Sequence, residues 1–144
     1  MAIRDITKKP YINDRDENVF VGIDYPFIRS SRQEGWFSST STTIEAVKNN
    51  VKMLLSTERG ERLMQPTLGL SMRQFLFEQI TDETFQLIQD EIIDTFSFWL
   101  PFVEIKDIEV SNKTIDDNNI IIDLTFNITK DPNTLESVQV EIGA

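Results

Sequence analysis

The clearest structural signal in the chain is the stretch Ile120-Ile121-Ile122-Asp123-Leu124-Thr125-Phe126-Asn127-Ile128. Its even-numbered positions are all large and apolar, whereas polar residues occupy all the odd-numbered positions after Ile121. Because successive side chains of a β-strand point to opposite faces of the sheet, this alternation predicts a strand with one buried face. Residues 116–119 before it and residues 131–133 after it have the composition of turns.

Two further strands are predicted, one on each side of this stretch in the sequence. The alternation in residues 103–110 changes phase across Lys106 and Asp107, so a β-bulge is expected there. The last strand alternates apolar with polar residues and comprises Val138, Gln139, Val140, Glu141 and Ile142. Three consecutive strands joined by short turns predict an antiparallel β-meander.

Three helices are predicted ahead of the strands. Thr42 and Glu45 have the spacing of a capping box, and Gly60 follows the first helix. A short second helix begins after Ser71, and a long third helix begins near Asp82 and ends before Pro101. The fold class predicted is α+β, with the helices packed on the apolar face of the three-stranded antiparallel meander. The apolar stripes comprise Ile44, Val47, Val51, Leu54 and Leu55, then Met72, Phe75 and Leu76, then Phe85, Ile88, Ile92, Phe96 and Trp99.

Residues 1–42 differ from the rest because they carry no sustained periodicity and end in a run of serine and threonine. We expect an extended N-terminal arm with one or two short strands, for example at 19–21, followed by the α+β domain at 43–144. Such an arm buries little by itself, so it either wraps its own domain or waits for a partner.

The polar side of the third helix also carries two apolar residues, Leu87 and Phe98, beside Glu91 and Asp94. At about 100° per residue the two apolar side chains project in similar directions, opposite the core stripe. This arrangement indicates either a contact surface for another protein or a second layer of the same core.

Composition excludes several classes of function. The chain has 144 residues, with 24 acidic and 14 basic residues, a formal charge of −10, no cysteine and no histidine. Thiol catalysis, zinc–thiolate sites and histidine-based triads are therefore excluded, and no cofactor is expected. The acidic balance argues against nucleic acid and anionic membranes as partners. The N-terminal sequence lacks an apolar stretch of signal-peptide length, so a reducing compartment is expected.

Glu61 and Glu78 are the best candidates for a glycosidase-like carboxylate pair, which requires two carboxyl groups about 5–9.5 Å apart. With 24 acidic residues in the chain, a surface or salt-bridging role explains them better. They flank a connector rich in glycine and proline, in which Arg59 and Arg62 are positioned to pair with them. This connector is interpreted as a shaped docking surface or a well-specified turn.

The same connector carries a resemblance to a known family. The ordered series from Leu54 to Glu78 resembles that of the lysozyme-like baseplate wedge family of contractile phage tails, related tailocins and, as a homologous component, type VI secretion systems. The similarity begins near residue 20 with Gly-Ile-Asp-Tyr-Pro-Phe at 22–27 and runs to the end of the chain. The most specific motif positions are Gly60, Glu61, Arg62, Pro66, Gly69, Phe77 and Glu78.

The resemblance implies a structural, non-enzymatic protein of the virion tail baseplate, assembled in the host cytoplasm. Its implied partners are other baseplate wedge proteins, the tail sheath subunit and the tail tube that the baseplate surrounds. It further implies a template for sheath assembly, in which a sheath strand adds to the edge formed by residues 138–142. The arm at 1–42 would order on wedge partners.

One departure from the family pattern concerns the end of the long helix. The family places an aromatic residue near a Glu-Pro-Arg tripeptide, whereas this chain has Leu100-Pro101-Phe102 after Phe98 and Trp99. The wedge contact is therefore expected to be apolar and to use Leu87, Phe98, Leu100, Pro101 and Phe102. Two alternatives remain open, namely a peptidoglycan hydrolase and a type VI secretion baseplate component.

Overall fold

The computed structural model describes residues 19–29, 36–78, 81–112 and 119–143. Two short strands come first, β1 (Gly22–Ile23) and β2 (Ser39–Thr40), followed by the helices α1 (Thr43–Ser56), α2 (Met72–Leu76) and α3 (Asp82–Trp99). Three long strands follow, β3 (Val103–Asn112), β4 (Asn119–Ile128) and β5 (Asp131–Gly143). The order of helices and strands is the one that the sequence predicts, and the α+β class is confirmed.

The long strands form an antiparallel sheet in the order β3-β4-β5, with β4 in the centre. The alternation of residues 120–128 is confirmed, because the even-numbered side chains of β4 are all buried. On β5 the residues opposite this buried row include Val138 and Val140, which pair with Leu124 and Ile122. One face of the sheet therefore supplies the core.

The predicted bulge in β3 is confirmed, because its register with β4 shifts between Ile105 and Asp107. The turn predicted at 131–133 is wrong, since the β4–β5 turn lies at Thr129 and Lys130 and Asp131 already pairs with Ile128. Pro132 is compatible with β5 because this strand lies at the edge of the sheet, where a missing N–H donor is tolerated. Most of the turn predicted at 116–119 lies outside the described residues.

The helices cover the apolar face of the sheet. Helix α1 packs mainly against β5, and α3 packs against β3. The ion pair between Lys48 of α1 and Glu136 of β5 joins the first helix to the sheet. Among the described residues, none of the helices has the length and apolar character that a membrane crossing requires. The buried apolar residues form one cluster drawn from all three helices and all three long strands, including Val51, Leu55, Leu70, Ile88, Ile92, Phe96, Ile122, Leu124 and Phe126.

The ends of the helices follow the local signals in the sequence. The Thr42 side chain accepts a hydrogen bond from the Glu45 N–H at 3.3 Å, which caps α1. Thr81 and Thr84 form a reciprocal capping box at the start of α3. Ser71 precedes α2, but its side chain makes no capping hydrogen bond.

Strands β1 and β2 form a small antiparallel ribbon that contacts α1. The first strand therefore lies at Gly22–Ile23 and not at 19–21, where the sequence analysis placed it. The described part of the predicted arm thus packs on its own domain. The division of the chain at residue 42 stays a prediction.

Candidate interaction surfaces

The edge of the sheet formed by β5 is the first candidate surface. Its register with β4 is continuous from Glu136 to Gly143, and in the described part of the chain β5 pairs with no other strand. An edge strand presents N–H and C=O groups that are free to pair with another chain. All the residues predicted for strand addition, Val138, Gln139, Val140, Glu141 and Ile142, lie on this edge strand.

The second candidate is the loop between α1 and α2, which carries most of the family-motif residues and is called the motif loop below (residues 57–71). Its two ends meet at a parallel bridge between Glu58 and Leu70. The Arg59 N–H donates to the Leu70 carbonyl at 3.0 Å, and the Leu70 N–H donates to the Thr57 carbonyl at 3.0 Å. These bonds close the loop at its base in the manner of a compact Ω-loop.

Within the motif loop, Gly60 and Gly69 have positive φ angles of 91° and 114°. The Gly60 N–H donates to the Pro66 carbonyl at 2.8 Å, which closes a smaller turn inside the loop. At Gly69 a Cβ atom would lie 2.3 Å from the Thr57 carbonyl oxygen. Only glycine therefore fits at position 69, because both the space and the backbone angle exclude a side chain.

Glu91 of α3 anchors the motif loop to the helix. Its Oε1 accepts a hydrogen bond from the Ser71 N–H at 2.8 Å and lies 3.6 Å from the Arg59 guanidinium. The sequence predicts Glu61 or Glu78 as the ion-pair partner of Arg59, and this prediction is wrong because Arg59 pairs with Glu91. The Glu61 carboxylate instead accepts a hydrogen bond from the Glu58 N–H at 3.1 Å.

The tip of the motif loop exposes two adjacent apolar side chains. Leu63 is 96% exposed and Met64 is 92% exposed. Arg62 and Pro66 on either side are also exposed. Because the base of the loop is fixed by backbone hydrogen bonds, these side chains are presented on a preorganised support.

The C-terminal end of α3 is the third candidate surface. Phe98 is 75% exposed and its ring stacks edge to face on Trp99, with 5.1 Å between ring centroids. A depression of about 360 Å³ lies between the end of α3 and the motif loop and is lined by these two rings, by Asp94 and Thr95 of the same helix, and by Arg59 and Thr67 of the loop. Pro101 and Phe102 are also exposed, whereas Leu100 packs against the core.

Leu87 is exposed as predicted, but it does not form one continuous patch with Phe98. They are eleven positions apart on α3, which corresponds to about 16 Å along the helix axis. Glu91 lies between them and holds the base of the motif loop. Both side chains are exposed, so the rear of α3 is not a second core layer, whereas its role as a contact surface stays a prediction.

The ribbon explains the other motif segment, Gly-Ile-Asp-Tyr-Pro-Phe. A Cβ atom at Gly22 would lie 3.1 Å from the Thr40 hydroxyl oxygen, so glycine lets the two strands of the ribbon approach each other closely at this pair. The Asp24 carboxylate accepts hydrogen bonds from the Asn49 side chain at 3.2 Å, the Ser38 hydroxyl at 3.2 Å and the Tyr25 N–H at 3.1 Å. Asp24 therefore joins both strands of the ribbon to α1.

Sequence reasoning missed the aromatic surface of this ribbon. Phe27 stacks edge to face on both Tyr25 and Phe37, and the Arg29 guanidinium lies 5.2 Å from the Trp36 ring. Phe27, Phe37 and Trp36 are each more than half exposed. The signal was the density of apolar and aromatic residues in a stretch without periodicity, for which only an extended arm with one or two short strands was predicted.

Glu61 and Glu78, the candidate catalytic carboxylates, are both exposed. Glu61 is held against the backbone of its own loop, and Glu78 follows the last turn of α2 beside the exposed Phe77. Neither residue lines any of the principal surface depressions among the described residues. Both carboxylates therefore lie on exposed surface.

The chain is similar in sequence to known baseplate proteins. The family described as "Baseplate wedge protein gp25" matches residues 41–133, which include α1, the motif loop, α3 and most of the sheet. Baseplate wedge protein gp25 of Enterobacteria phage T4 is 22% identical over 106 residues, which cover 74% of this chain and 80% of that protein.

Two solved structures are similar in fold. A putative tail lysozyme from Geobacter sulfurreducens superposes with a TM-score of 0.64 at 24% identity, covering 72% of this chain and 93% of that chain. A chain in the baseplate of the anti-feeding prophage, solved with six-fold symmetry imposed, superposes with a TM-score of 0.62 at 26% identity, covering 77% of this chain and 86% of that chain. Since the family match extends over well more than half of its length, the chain belongs to the gp25 family of baseplate wedge proteins.

Proposed function

We propose that this protein is a non-enzymatic wedge component of a contractile phage tail baseplate, which surrounds the tail tube and initiates the tail sheath. Membership of the wedge family supports the baseplate role. Its site of action is then the virion tail, after assembly in the host cytoplasm. Its partners are other wedge proteins, the sheath subunit and the tail tube.

The observation that carries the sheath role is the β5 edge. An incoming strand requires a regular partner, and β5 keeps one register with β4 from Glu136 to Gly143. The opposite edge strand, β3, is interrupted by its bulge, a feature that discourages strand pairing. We infer that a strand of the sheath subunit extends the sheet beyond β5 and that residues 138–142 form its binding site.

Wedge contacts are assigned to the C-terminal end of α3. Leu100 and Phe102 stand where the family has charged residues, and the exposed rings of Phe98 and Phe102 form an apolar surface with the exposed Pro101. Leu87 forms a separate apolar point of contact on the same helix. Leu100 connects this surface to the core, because its side chain is partly buried and packs against the core cluster.

Site-specific cross-linking tests the strand addition. The chain has no cysteine, so a single Glu141→Cys substitution gives one reactive position on β5. Glu109→Cys on β3 is the matched control, because both residues are exposed acidic side chains on edge strands. In assembled tails we expect cross-linking to the sheath subunit from position 141 and not from position 109. Cross-linking to the sheath from neither position, or from position 109 alone, would overturn the proposal.

A hydrolase activity is tested separately, because one structural neighbour is named a putative tail lysozyme. Purified protein is expected to leave the turbidity of a bacterial cell-wall suspension unchanged. Lysis that disappears in the Glu61→Gln or Glu78→Gln variant would replace the structural function with an enzymatic one. The secretion-system alternative is decided by the genes that surround this one.

A further inference from the structure

The tip of the motif loop carries the two most exposed large apolar side chains among the described residues. Leu63 is 96% exposed and Met64 is 92% exposed, whereas Phe77, the next in order, is 76% exposed. Residues 61–66 are all exposed, and none of them lines a principal surface depression of the described chain. The two apolar side chains therefore protrude from the surface.

The tip is held as a short closed turn. The Gly60 N–H donates to the Pro66 carbonyl at 2.8 Å, so residues 61–65 lie between two residues that a backbone hydrogen bond joins. The Glu61 N–H donates to the Glu58 carbonyl at 3.1 Å, and the Glu61 carboxylate accepts from the Glu58 N–H at 3.1 Å. A turn fixed in this way loses little conformational freedom on binding, which favours its use as an anchor.

Arg62 places a positive charge directly before the two apolar residues. Its guanidinium forms no ion pair with another described residue. The Glu61 carboxylate bonds to the loop backbone, and Arg59 is paired with Glu91. Because the chain has a formal charge of −10, a carboxylate on a partner is repelled by most of this molecule and attracted at Arg62.

We propose that Leu63 and Met64 insert into an apolar pocket of another baseplate protein and that Arg62 pairs with a carboxylate at the rim of that pocket. Protruding apolar side chains require a concave partner, because only a pocket removes most of their surface from water. The unbranched side chain of Met64 adapts to an irregular pocket wall. The inference rests on the proposed baseplate function, but on neither the β5 edge nor the end of α3.

Photochemical cross-linking in purified tails identifies the partner. Gln65 is replaced by the photoreactive amino acid p-benzoylphenylalanine, because Gln65 is exposed beside the two apolar residues and its replacement leaves them intact. The matched control carries the same replacement at Gln74, an exposed glutamine on α2. We expect position 65, and not position 74, to cross-link to a segment of another baseplate protein that contains apolar residues and an acidic residue.

Several outcomes of this experiment would overturn the proposal. They are the absence of a cross-link from position 65, the same cross-link from both positions, and a cross-linked segment without apolar and acidic residues. A cross-link to the sheath subunit, to the tail tube or to a second copy of this chain would also overturn it.

The same preparation separates this inference from the proposed function. An immunoblot of the purified tails determines whether the chain is part of them. If the chain is absent, the proposed function fails. If the chain is present and position 65 forms no cross-link, the inference about the tip fails while the proposed function stands.

A charge exchange tests the role of Arg62. Arg62→Glu is expected to raise the Kd for the purified cross-linked partner about tenfold, because it replaces an attractive charge at the rim with a repelling one. Arg73→Glu changes the net charge equally at an exposed position on α2 and should change the Kd much less. Replacing the acidic residue of the partner by arginine should restore binding of the Arg62→Glu variant. Equal weakening by both variants, or no restoration, would refute the ion pair.

A matched pair of variants tests the burial of Met64. Met64→Leu should bind the partner as the wild type does. Met64→Gln has a side chain of similar length and should raise the Kd about tenfold, because its amide would lose water in an apolar pocket. Thermal unfolding verifies that both variants fold. Equal Kd values for the two variants would contradict insertion of this side chain.

Discussion

The Glu91 carboxylate accepts a hydrogen bond from the Ser71 N–H at 2.8 Å and thereby joins the long helix to the loop that carries the family motif. The two residues are 20 positions apart in the sequence, and Glu91 lies midway along the helix between the exposed side chains of Leu87 and Phe98. Together with the backbone hydrogen bonds at the base of the loop, this side chain of α3 positions the apolar tip at Leu63 and Met64.

We predict that Glu91→Ala lowers the free energy of unfolding by about 1–3 kcal/mol, because it leaves the Ser71 N–H without its acceptor. Glu91→Gln keeps an acceptor oxygen, so its free energy of unfolding should fall by less. Urea unfolding followed by circular dichroism measures both, with Asp90→Ala on the exposed side of the helix as the control. Equal losses in the alanine and glutamine variants would show that the hydrogen bond does not hold the loop.

The two positive-φ glycines of the motif loop should respond differently to alanine. Gly60→Ala places its methyl group in open space. It should lower the free energy of unfolding by about 1–2 kcal/mol, because alanine disfavours the positive φ angle. Gly69→Ala adds a clash with the Thr57 carbonyl and should lower the free energy of unfolding by about 3 kcal/mol or more. Chemical denaturation of the two variants compares them directly, and similar losses would contradict the proposed close contact.

The tip of the motif loop should contribute to assembly and not to stability. Leu63→Ser and Met64→Ser remove side chains that are more than 90% exposed, so the free energy of unfolding should change by no more than about 0.5 kcal/mol. Co-purification with wedge partners is expected to weaken in both variants. If a variant with both substitutions co-purifies with the wedge partners as well as the wild type does, the tip is not part of the interaction surface.

Phe98→Asp should abolish or strongly weaken wedge assembly while the chain still folds, because the ring is 75% exposed. Phe102→Asp should also weaken wedge assembly. Leu135→Asp, at another exposed apolar position on β5, serves as the control for adding a charge to an exposed apolar site. The readout is the amount of complete wedge recovered after co-expression. Wild-type recovery from the Phe98 variant would refute an apolar contact at the end of α3.

Asp24→Ala should loosen the ribbon while leaving the main core intact, since the Asp24 carboxylate holds Ser38 and Asn49 together. Hydrogen exchange at the Val21 and Asp24 amides, which donate to the carbonyl groups of Thr40 and Ser38, should accelerate. Amides of β4 should keep their protection. Faster exchange throughout the sheet would instead mean that the ribbon and the core unfold as one unit.

The sequence determined the features of this protein that depend on local periodicity and local capping. The alternation of β4, the phase change at Lys106, the cap at Thr42 and the stop before Pro101 each reflect neighbours within a few residues, and each is confirmed. The β4–β5 turn was misplaced because Asp131 and Pro132 favour turns by composition. Their position at a sheet edge, where strand pairing tolerates them, is not a local property.

Only the tertiary structure decided which surfaces stay exposed and which are covered by contacts within the chain. Arg59 pairs with Glu91 and not with the acidic residues nearest to it in sequence, because the motif loop folds back onto α3. For the same reason the motif loop contacts α3 at Glu91, between the exposed side chains of Leu87 and Phe98. The aromatic ribbon and the position of the apolar loop tip result from contacts between segments far apart in the chain, and no periodicity within one segment records such contacts.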